Sequence, residues 1–260
     1  MDSNKASTAL RIYFWIGILY LLFPIVIVLP ASFSASPFLH FPPTKIGLDW
    51  YRAYFFDSSW LAATMLSLRV GLLASLIATV TGTLAAVGIA KSSQRLRTPL
   101  IFMATFPMVL PQIFIALGVF ILALQFGATD NAYVLALAHA AVGVPLVVLI
   151  VNSSMKQISP TLERAARVLG AGPLNAFRVA TLPRLKPAIV ASTIFSFFAS
   201  FDDLVISLFL MSGQETLPMR IWADLKLEFS PTVAAVSSLL IVATSASMWF
   251  AEMLRRKAIA

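Results

Sequence analysis

Long apolar stretches separated by short polar connections make up most of this chain of 260 residues. A bilayer core of about 30 Å is crossed by about 20 helical residues, each rising 1.5 Å. Six stretches meet this length, at residues 12–30, 61–90, 98–126, 131–152, 187–211 and 230–251. The pattern predicts an all-α polytopic membrane protein with six transmembrane helices, in which residues 1–260 form a single transmembrane domain and the connections leave no room for a soluble domain.

The first and third stretches carry signals besides an apolar run. The first, 12–30, follows Lys5 and Arg11 as a signal peptide would, but its apolar part is too long and no small-residue cleavage site follows cleanly, so we expect a retained helix. The third contains Pro107 and Pro111, which favour a kink or a broken start because proline lacks the N–H that a helix interior requires.

The composition agrees with a membrane location. Hydrophobic residues make up 59% of the chain and charged residues 12%, whereas soluble domains carry about 25% charged residues. The same figures exclude intrinsic disorder, which requires low hydrophobicity. The chain has no cysteine, which excludes disulfides and thiolate metal sites, and its two histidines, His40 and His139, make an imidazole metal cluster a poor interpretation.

The basic residues lie mainly on one side of the predicted membrane. Of the 19 Lys and Arg, fourteen fall in one set of connections and termini, four in the opposite set, and Arg69 within a span. Since cytoplasmic loops collect Lys and Arg, both termini are predicted to be cytoplasmic. The net charge of +8 is then explained by the anionic inner leaflet, so membrane lipid is an expected partner and nucleic acid is not.

The cytoplasmic connection between the fourth and fifth spans, residues 159–183, carries clear helix signals. Ser159 followed by Pro160 predicts a helix start, Gly170 predicts a left-handed end, Gly172-Pro173 predicts a second start, and Leu182-Pro183 predicts its stop. Helical spacing predicts a small apolar face on the first helix, made of Leu162, Ala165, Ala166 and Leu169; the second helix carries Leu174 and Phe177. Two short amphipathic helices fit either a docking element or a pair lying on anionic lipid.

Two adjacent carboxylates, Asp202 and Asp203, interrupt the fifth span. Charged residues within a membrane are costly and are commonly functional. One interpretation is a carboxylate that meets a cationic solute in a translocation pathway or closes an outer gate; the other is an interfacial pair that snorkels or bonds Arg69 or a helix end. Neighbouring residues on a helix point about 100° apart, so both carboxylates are not expected to face one lumen equally.

Other polar and small residues within the spans favour packing roles. His139 lies in an apolar run, which favours a packed histidine over a proton relay. Gly71, Gly82 and Gly88 on the second span are expected to permit close helix approach.

The loop also resembles a known motif. Permease subunits of binding-protein-dependent ABC importers carry Glu-Ala-Ala, three residues, Gly, nine residues, Ile, one residue and Leu-Pro. Ala165-Ala166, Gly170 and Leu182-Pro183 match this motif at the same spacing, whereas Arg164 replaces the Glu and Ala180 replaces the Ile. Glu163 stands one residue before the replaced position and could substitute for the family's Glu.

A second pattern resembles the spermidine/putrescine-type subgroup of these permeases. It consists of Ser200-Phe-Asp-Asp-Leu-Val-Ile-Ser-Leu-Phe, followed by Thr216-Leu-Pro-Met-Arg-Ile-Trp. This resemblance makes a polyamine the expected solute. Because related importers of other small solutes share much of the pattern, another amine-bearing or an anionic solute is the alternative.

The resemblance implies a fold, partners and coupling residues. The fold would be that of a type I ABC importer permease in a bacterial inner membrane. A second permease subunit, identical or similar, two cytoplasmic ATPases and an external solute-binding protein would complete the importer. This chain would bind no cofactor, and ATP and Mg would be used by the ATPases. The implied ATPase-coupling residues are Glu163, Arg164, Ala165, Ala166, Leu169, Gly170, Phe177, Leu182 and Pro183.

Two other classes of function compete with a transport subunit. An intramembrane enzyme requires a nucleophile with a positioned base, and the sequence has no Gly-x-Ser-x-Gly motif and no metal set. A self-contained channel or ion-coupled transporter would leave the loop helices unexplained, and no inverted repeat is recognisable. The chain also has no Walker A sequence, so ATP hydrolysis would require a partner.

Overall fold

The fold is almost entirely helical in a computed structural model that describes residues 3–36, 41–43, 45–227 and 230–259. One isolated antiparallel bridge joins Ser34 and Ile46. The helices are α1 (Ser3–Ala31), α2 (Asp49–Phe56), α3 (Ser58–Lys91), α4 (Gln94–Thr105), α5 (Gln112–Gln125), α6 (Ala132–Gln157), α7 (Pro160–Val168), α8 (Pro173–Ala176), α9 (Leu182–Phe201), α10 (Val205–Leu210), α11 (Leu217–Leu227) and α12 (Pro231–Ile259).

Four helices are long and apolar enough to cross a membrane, among the residues described. They are Leu10–Ala31 of α1, Ser58–Lys91, Ala132–Gln157 and Pro231–Trp249 of α12. A fifth crossing is formed if Gln94–Met108 and Gln112–Gln125, which meet at a bend of 85°, count as one span. A 3₁₀ turn at Phe106–Met108 precedes this bend, and Pro111 caps α5. The predicted break near Pro107 and Pro111 is therefore confirmed.

The predicted span 187–211 is divided between two helices. Helix α9 ends at Phe201 and α10 begins at Val205, so residues 202–204 interrupt the helical ladder. This segment is not among the helices that meet the length and hydropathy required for a crossing. The break leaves backbone N–H groups at the start of α10 without helical acceptors. The Asp203 carboxylate accepts hydrogen bonds from two of them.

The chain forms two compact units, Met1–Leu61 with Ile221–Ser245 and Ala62–Arg220 with Ala246–Ala260. In the first unit, a chain of hydroxyls joins distant segments: the Tyr51 hydroxyl lies 2.7 Å from Ser32 Oγ and 2.6 Å from Ser238 Oγ. The apolar side chains of α1 are mostly exposed, as expected for a helix that faces lipid or another subunit.

In the second unit, α6 packs mainly on α9. Helix α3 approaches both α6 and α9 closely through small residues. A Cβ atom on Gly82 of α3 would lie 2.7 Å from Val147 Cβ, and one on Gly71 would lie 3.0 Å from the Phe197 ring. The prediction of close approach is thus confirmed for these two glycines. It is wrong for Gly88, which has no described atom within 4 Å of a Cβ at that position.

Candidate functional site

The first loop helix begins and ends as its sequence predicts. Ser159 is the N-cap of α7, its Oγ accepting the Thr161 N–H at 3.4 Å, and Pro160 is the first helical residue. At the other end Gly170 has φ +91°. The Gly170 N–H donates to Arg167 O and the Ala171 N–H to Ala166 O, both at 3.0 Å. This pair of bonds is a Schellman motif, which requires the left-handed residue at Gly170.

The second loop helix begins as predicted but does not stop at Leu182-Pro183. Gly172 caps α8, and the chain then continues through a π-helical turn at Phe177–Thr181 directly into α9. The Leu182 N–H donates to Phe177 O, five residues back. Because Pro183 has no N–H to donate, the change from α-helical to π-helical hydrogen bonding at this point leaves no further N–H group unbonded. Leu182 and Pro183 therefore begin α9, and the predicted stop is wrong.

Glu163 attaches the loop to the transmembrane helices. Its Oε1 accepts a hydrogen bond from Lys91 Nζ at 2.8 Å, at the C-terminal end of α3, and its Oε2 accepts one from the Thr181 hydroxyl at 3.3 Å. Arg167 adds a weaker contact at 3.4 Å. The side chain is only 17% exposed. The hydrogen bond from Lys91 is the main cause that lowers the pKa of the Glu163 carboxyl, with Thr181 and Arg167 adding to it against the effect of burial.

Phe177 reinforces the same attachment. Lys91 Nζ lies 5.0 Å from the centre of the Phe177 ring. One ammonium group therefore contacts α7, through Glu163, and the π-helical turn, through Phe177. Ala176, Ala180 and Thr181 beside it are buried. Glu163 and Phe177 thus face the rest of the second unit, where they hold the loop in place.

The opposite side of the loop presents apolar and basic side chains to solvent. Val168 and Leu169 are 86% and 88% exposed, and Leu174 and Val179 are also exposed. The other implied coupling residues divide between the two sides: Arg164, Ala165, Gly170 and Pro183 are exposed, while Ala166 and Leu182 are half-buried. The apolar face predicted from Leu162, Ala165, Ala166 and Leu169 is therefore split, since Leu162 and Ala166 are turned partly inward and the other two residues are exposed.

Replacing Glu163 by glutamine is expected to loosen the loop. The variant keeps the size of the side chain but removes the charge that Lys91 and Arg167 contact, at a cost of about 1 kcal/mol. Hydrogen exchange of amides 159–183 should accelerate about fivefold, while Arg164→Gln, which changes an exposed neighbour, should leave it unchanged. Equal exchange in the two variants would contradict the attachment.

The same attachment should depend on pH. Because the pKa of folded Glu163 lies below its ordinary value, its contribution is complete above the pKa of the unfolded chain. The contribution is lost as the pH falls through the folded pKa. On acidification the protection factor of the loop amides, which compares their exchange with that of an unfolded peptide at the same pH, should therefore fall in the wild type but not in Glu163→Gln.

A second polar group lies where two broken helices meet. Asp203 is 8% exposed, and its Oδ1 accepts the Ile206 N–H at 2.9 Å and the Ser207 N–H at 3.4 Å at the start of α10. Gln112, the first residue of α5, donates to Oδ2. Non-helical backbone at membrane depth is tolerated where it is buried in protein or lines a cavity. Asp203 thus joins the start of α5 to the start of α10.

A buried histidine contacts the same carboxylate. His139 Nε2 lies 3.3 Å from Asp203 Oδ1, within ion-pair distance but not aligned as a hydrogen bond among the described residues. Its Nδ1 lies 2.8 Å from Ser200 Oγ. His139 is buried, as predicted, but its partners are polar. We name Gln112, His139, Ser200 and Asp203 the Asp203 cluster.

The two adjacent carboxylates have different environments. Asp202 is exposed, whereas Asp203 is buried. The expectation that the pair would not face one direction is therefore confirmed. Only Asp202 is accessible to a solute, and Asp203 bonds a helix start.

Another carboxylate joins the far ends of the α5 and α10 segments. Asp130 follows α5 and adopts φ +56°. Its Oδ1 accepts the Ser212 N–H at 3.1 Å and the Gly213 N–H at 2.9 Å. These backbone donors, Gly213 first, lower the pKa of Asp130. Helices α5 and α10, which pack on each other through Phe120 and Phe209, are thus connected at both ends.

Sequence reasoning missed Lys91 and Gln112 as partners of Glu163 and Asp203, and it missed the contact of Asp130 with Ser212. The pairs are separated by 72, 91 and 82 residues respectively. The described residues contain no group of three or more His, Cys, Asp or Glu side chains that could hold a metal ion. His40 lies outside the described residues.

Comparison with known families defines the class of this protein. Residues 78–259 match the family model described as "Binding-protein-dependent transport system inner membrane component". The chain belongs to this family: it is a permease subunit of a binding-protein-dependent ABC importer and a transport component of the inner membrane without catalytic activity of its own. Members bind no cofactor, and the ATPase partner uses ATP.

Individual relatives narrow the similarity. The putrescine transport system permease protein PotI of Escherichia coli K12 is 29% identical over 236 residues, covering 87% of this chain and 83% of PotI. The spermidine/putrescine transport system permease protein PotC of the same strain is 30% identical over 224 residues, covering 86% of this chain and 84% of PotC.

A solved structure supports the fold. It is the crystal structure of a bacterial alginate ABC transporter in complex with an alginate pentasaccharide-bound periplasmic protein, and it matches with a TM-score of 0.73 at 16% identity, covering 99% of this chain and 96% of that chain. At this identity the match shows the fold alone.

Proposed function

We propose that the chain is one of two permease subunits in a polyamine importer of the bacterial inner membrane and crosses it six times with both termini in the cytoplasm. A second permease, identical or similar, completes the pathway. One cytoplasmic ATPase docks on the loop Ser159–Pro183 of this chain and a second ATPase docks on the corresponding loop of the other permease. An external protein delivers the solute. The division of Lys and Arg, fourteen against four, supports this orientation.

The exposed side of the loop is the observation that carries this proposal. Val168 and Leu169 extend from the end of α7 into solvent, where an apolar side chain gains free energy only if a partner covers it. Behind them, Lys91 and Glu163 connect the loop to α3 and the π-helical turn. A movement imposed on the loop by ATPase closure would thus be transmitted to the transmembrane helices. Glu163 contacts its own chain rather than the ATPase, and Arg164 occupies the exposed position.

A cationic solute is favoured by two independent observations. The relatives with 29% and 30% identity are named for putrescine and spermidine/putrescine transport. Asp202 places an exposed carboxylate next to the meeting point of two broken helices. Broken helices at membrane depth are typical of solute sites in transporters, and a carboxylate there attracts an ammonium group.

The role of Asp202 is tested with one variant that removes the charge and one that keeps it. Asp202→Asn should lower putrescine uptake at limiting solute about fivefold, since it removes roughly 1 kcal/mol of attraction to a cation. Asp202→Glu, which keeps the charge, should restore most of the uptake. Uptake is normalised to assembled complex. Wild-type uptake by Asp202→Asn would remove this carboxylate from the pathway.

A further inference from the structure

A cleft of about 340 Å³ lies beside the loop, between the ends of α3, α4 and α6. Its lining includes Lys91, Arg97, Asn152, Lys156, Ser159 and Glu163. The volume is at the lower end of the range typical of small-ligand sites. The function proposed above assigns no role to this cleft.

The charges that line the cleft favour an anion. Three basic side chains, Lys91, Arg97 and Lys156, face one carboxylate, that of Glu163, so the lining carries a net charge of +2 (three minus one). Glu163 is already occupied by Lys91. An incoming anion would therefore contact the two remaining basic groups.

Arg97 provides the clearest sign of a missing partner. Its Nη2 donates to Ala90 O at 2.8 Å, while its Nε is buried and has no hydrogen-bond partner among the described residues. A buried donor without a partner is unfavourable, and a guanidinium group matches the geometry of phosphate and carboxylate oxygens. Asn152, which is buried, and Ser159 add polar groups to the same lining.

The position of the basic residues indicates the source of the anion. Lys91 is the last residue of α3, Arg97 lies in the first turn of α4, and Lys156 lies in the last turn of α6. In the proposed orientation these are cytoplasmic helix ends, at the level of the inner-leaflet headgroups, where phosphate is abundant and basic residues are attracted. We propose that the cleft binds the phosphate group of an anionic phospholipid headgroup.

This occupancy would link the lipid to the loop. Ser159 caps α7 and Glu163 attaches it to α3, and both line the cleft. A bound headgroup would therefore contact the segment that the ATPase is proposed to move.

The test measures lipid retained by the assembled complex, a readout independent of transport. The complex is purified with phosphatidylglycerol or with phosphatidylcholine and examined by native mass spectrometry. Arg97→Gln should retain phosphatidylglycerol about tenfold more weakly than the wild type does. Lys156→Gln, at an exposed position that does not endanger folding, should show a similar weakening. The control is Arg95→Gln, an exposed basic residue on the same helix that does not line the cleft.

Inorganic phosphate is the second probe. If phosphate raises the thermal stability of the wild type but not of Arg97→Gln, and the lipid shows no difference, the cleft is a phosphate site filled from solution. If lipid retention and the response to phosphate are the same in Arg97→Gln, Lys156→Gln and Arg95→Gln, the cleft binds no anion and the proposal is overturned. Failure of uptake with normal lipid retention would instead count against the proposed transport function.

Discussion

Replacing Asp203 by alanine is expected to prevent stable assembly of the permease. The change removes the acceptor of the Ile206 and Ser207 N–H groups, of Gln112 and of the His139 contact. Buried donors without a partner cost about 1–3 kcal/mol each, so the total loss should reach about 3–5 kcal/mol, similar to breaking a buried ion pair. This is a large part of the 5–15 kcal/mol typical of folded proteins.

The measurement is thermal unfolding and yield of the purified complex, and neighbouring variants provide controls. Asp202→Ala, one residue earlier and exposed, should unfold within a few degrees of the wild type. Asp203→Asn should be intermediate, because its amide oxygen still accepts the α10 N–H groups but the negative charge is lost. If Asp203→Ala unfolded at the wild-type temperature, the carboxylate would not hold α5 and α10 together.

Replacing Gly170 by valine is expected to uncouple the ATPase without disturbing membrane insertion. Gly170 has φ +91° and no described atom within 4 Å of a Cβ placed there, so the penalty is backbone strain and not a clash. A β-branched residue in this conformation costs about 1–3 kcal/mol, which would displace Leu169 and Ala171 from the Schellman geometry. ATPase association should weaken about tenfold, and ATP-driven uptake should fall with it.

Gly172→Val is the matched control for this variant. Gly172 lies two residues away and also has no described atom within 4 Å of a Cβ, but its φ of −63° is accessible to valine. Co-purification of the ATPase should therefore be near wild type for Gly172→Val and reduced for Gly170→Val. Equal reduction in both variants would indicate that bulk at the loop, and not the left-handed turn, governs docking.

The parts of the loop that could be predicted from sequence are those fixed by local chemistry. Ser159 with Pro160 specifies a helix start within two residues, and Gly170 specifies a left-handed end, because few other residues adopt that conformation. Leu182-Pro183 was interpreted wrongly, since the same dipeptide that stops one helix also begins another. The local signal alone does not distinguish the two outcomes.

The polar contacts could not be predicted because they depend on tertiary packing. Glu163 could have pointed to solvent, and only the position of Lys91, 72 residues earlier, turns it inward. Helical geometry predicted only that Asp202 and Asp203 would not face one direction; which of the two is buried depends on the break between α9 and α10. The identity of Gln112 as a partner, 91 residues away, could not be predicted, since a glutamine at a helix start carries no signal of the segment it will meet.

We expect this chain to move a cationic solute only as part of an ATP-driven complex. The most direct measurement is uptake of labelled putrescine or spermidine into vesicles that contain the assembled permeases, with and without the ATPase and ATP on its side and the binding protein on the other. Uptake is expected only when all of these components are present. Uptake at the same rate without the ATPase would contradict this expectation and would indicate a self-contained channel or ion-coupled transporter.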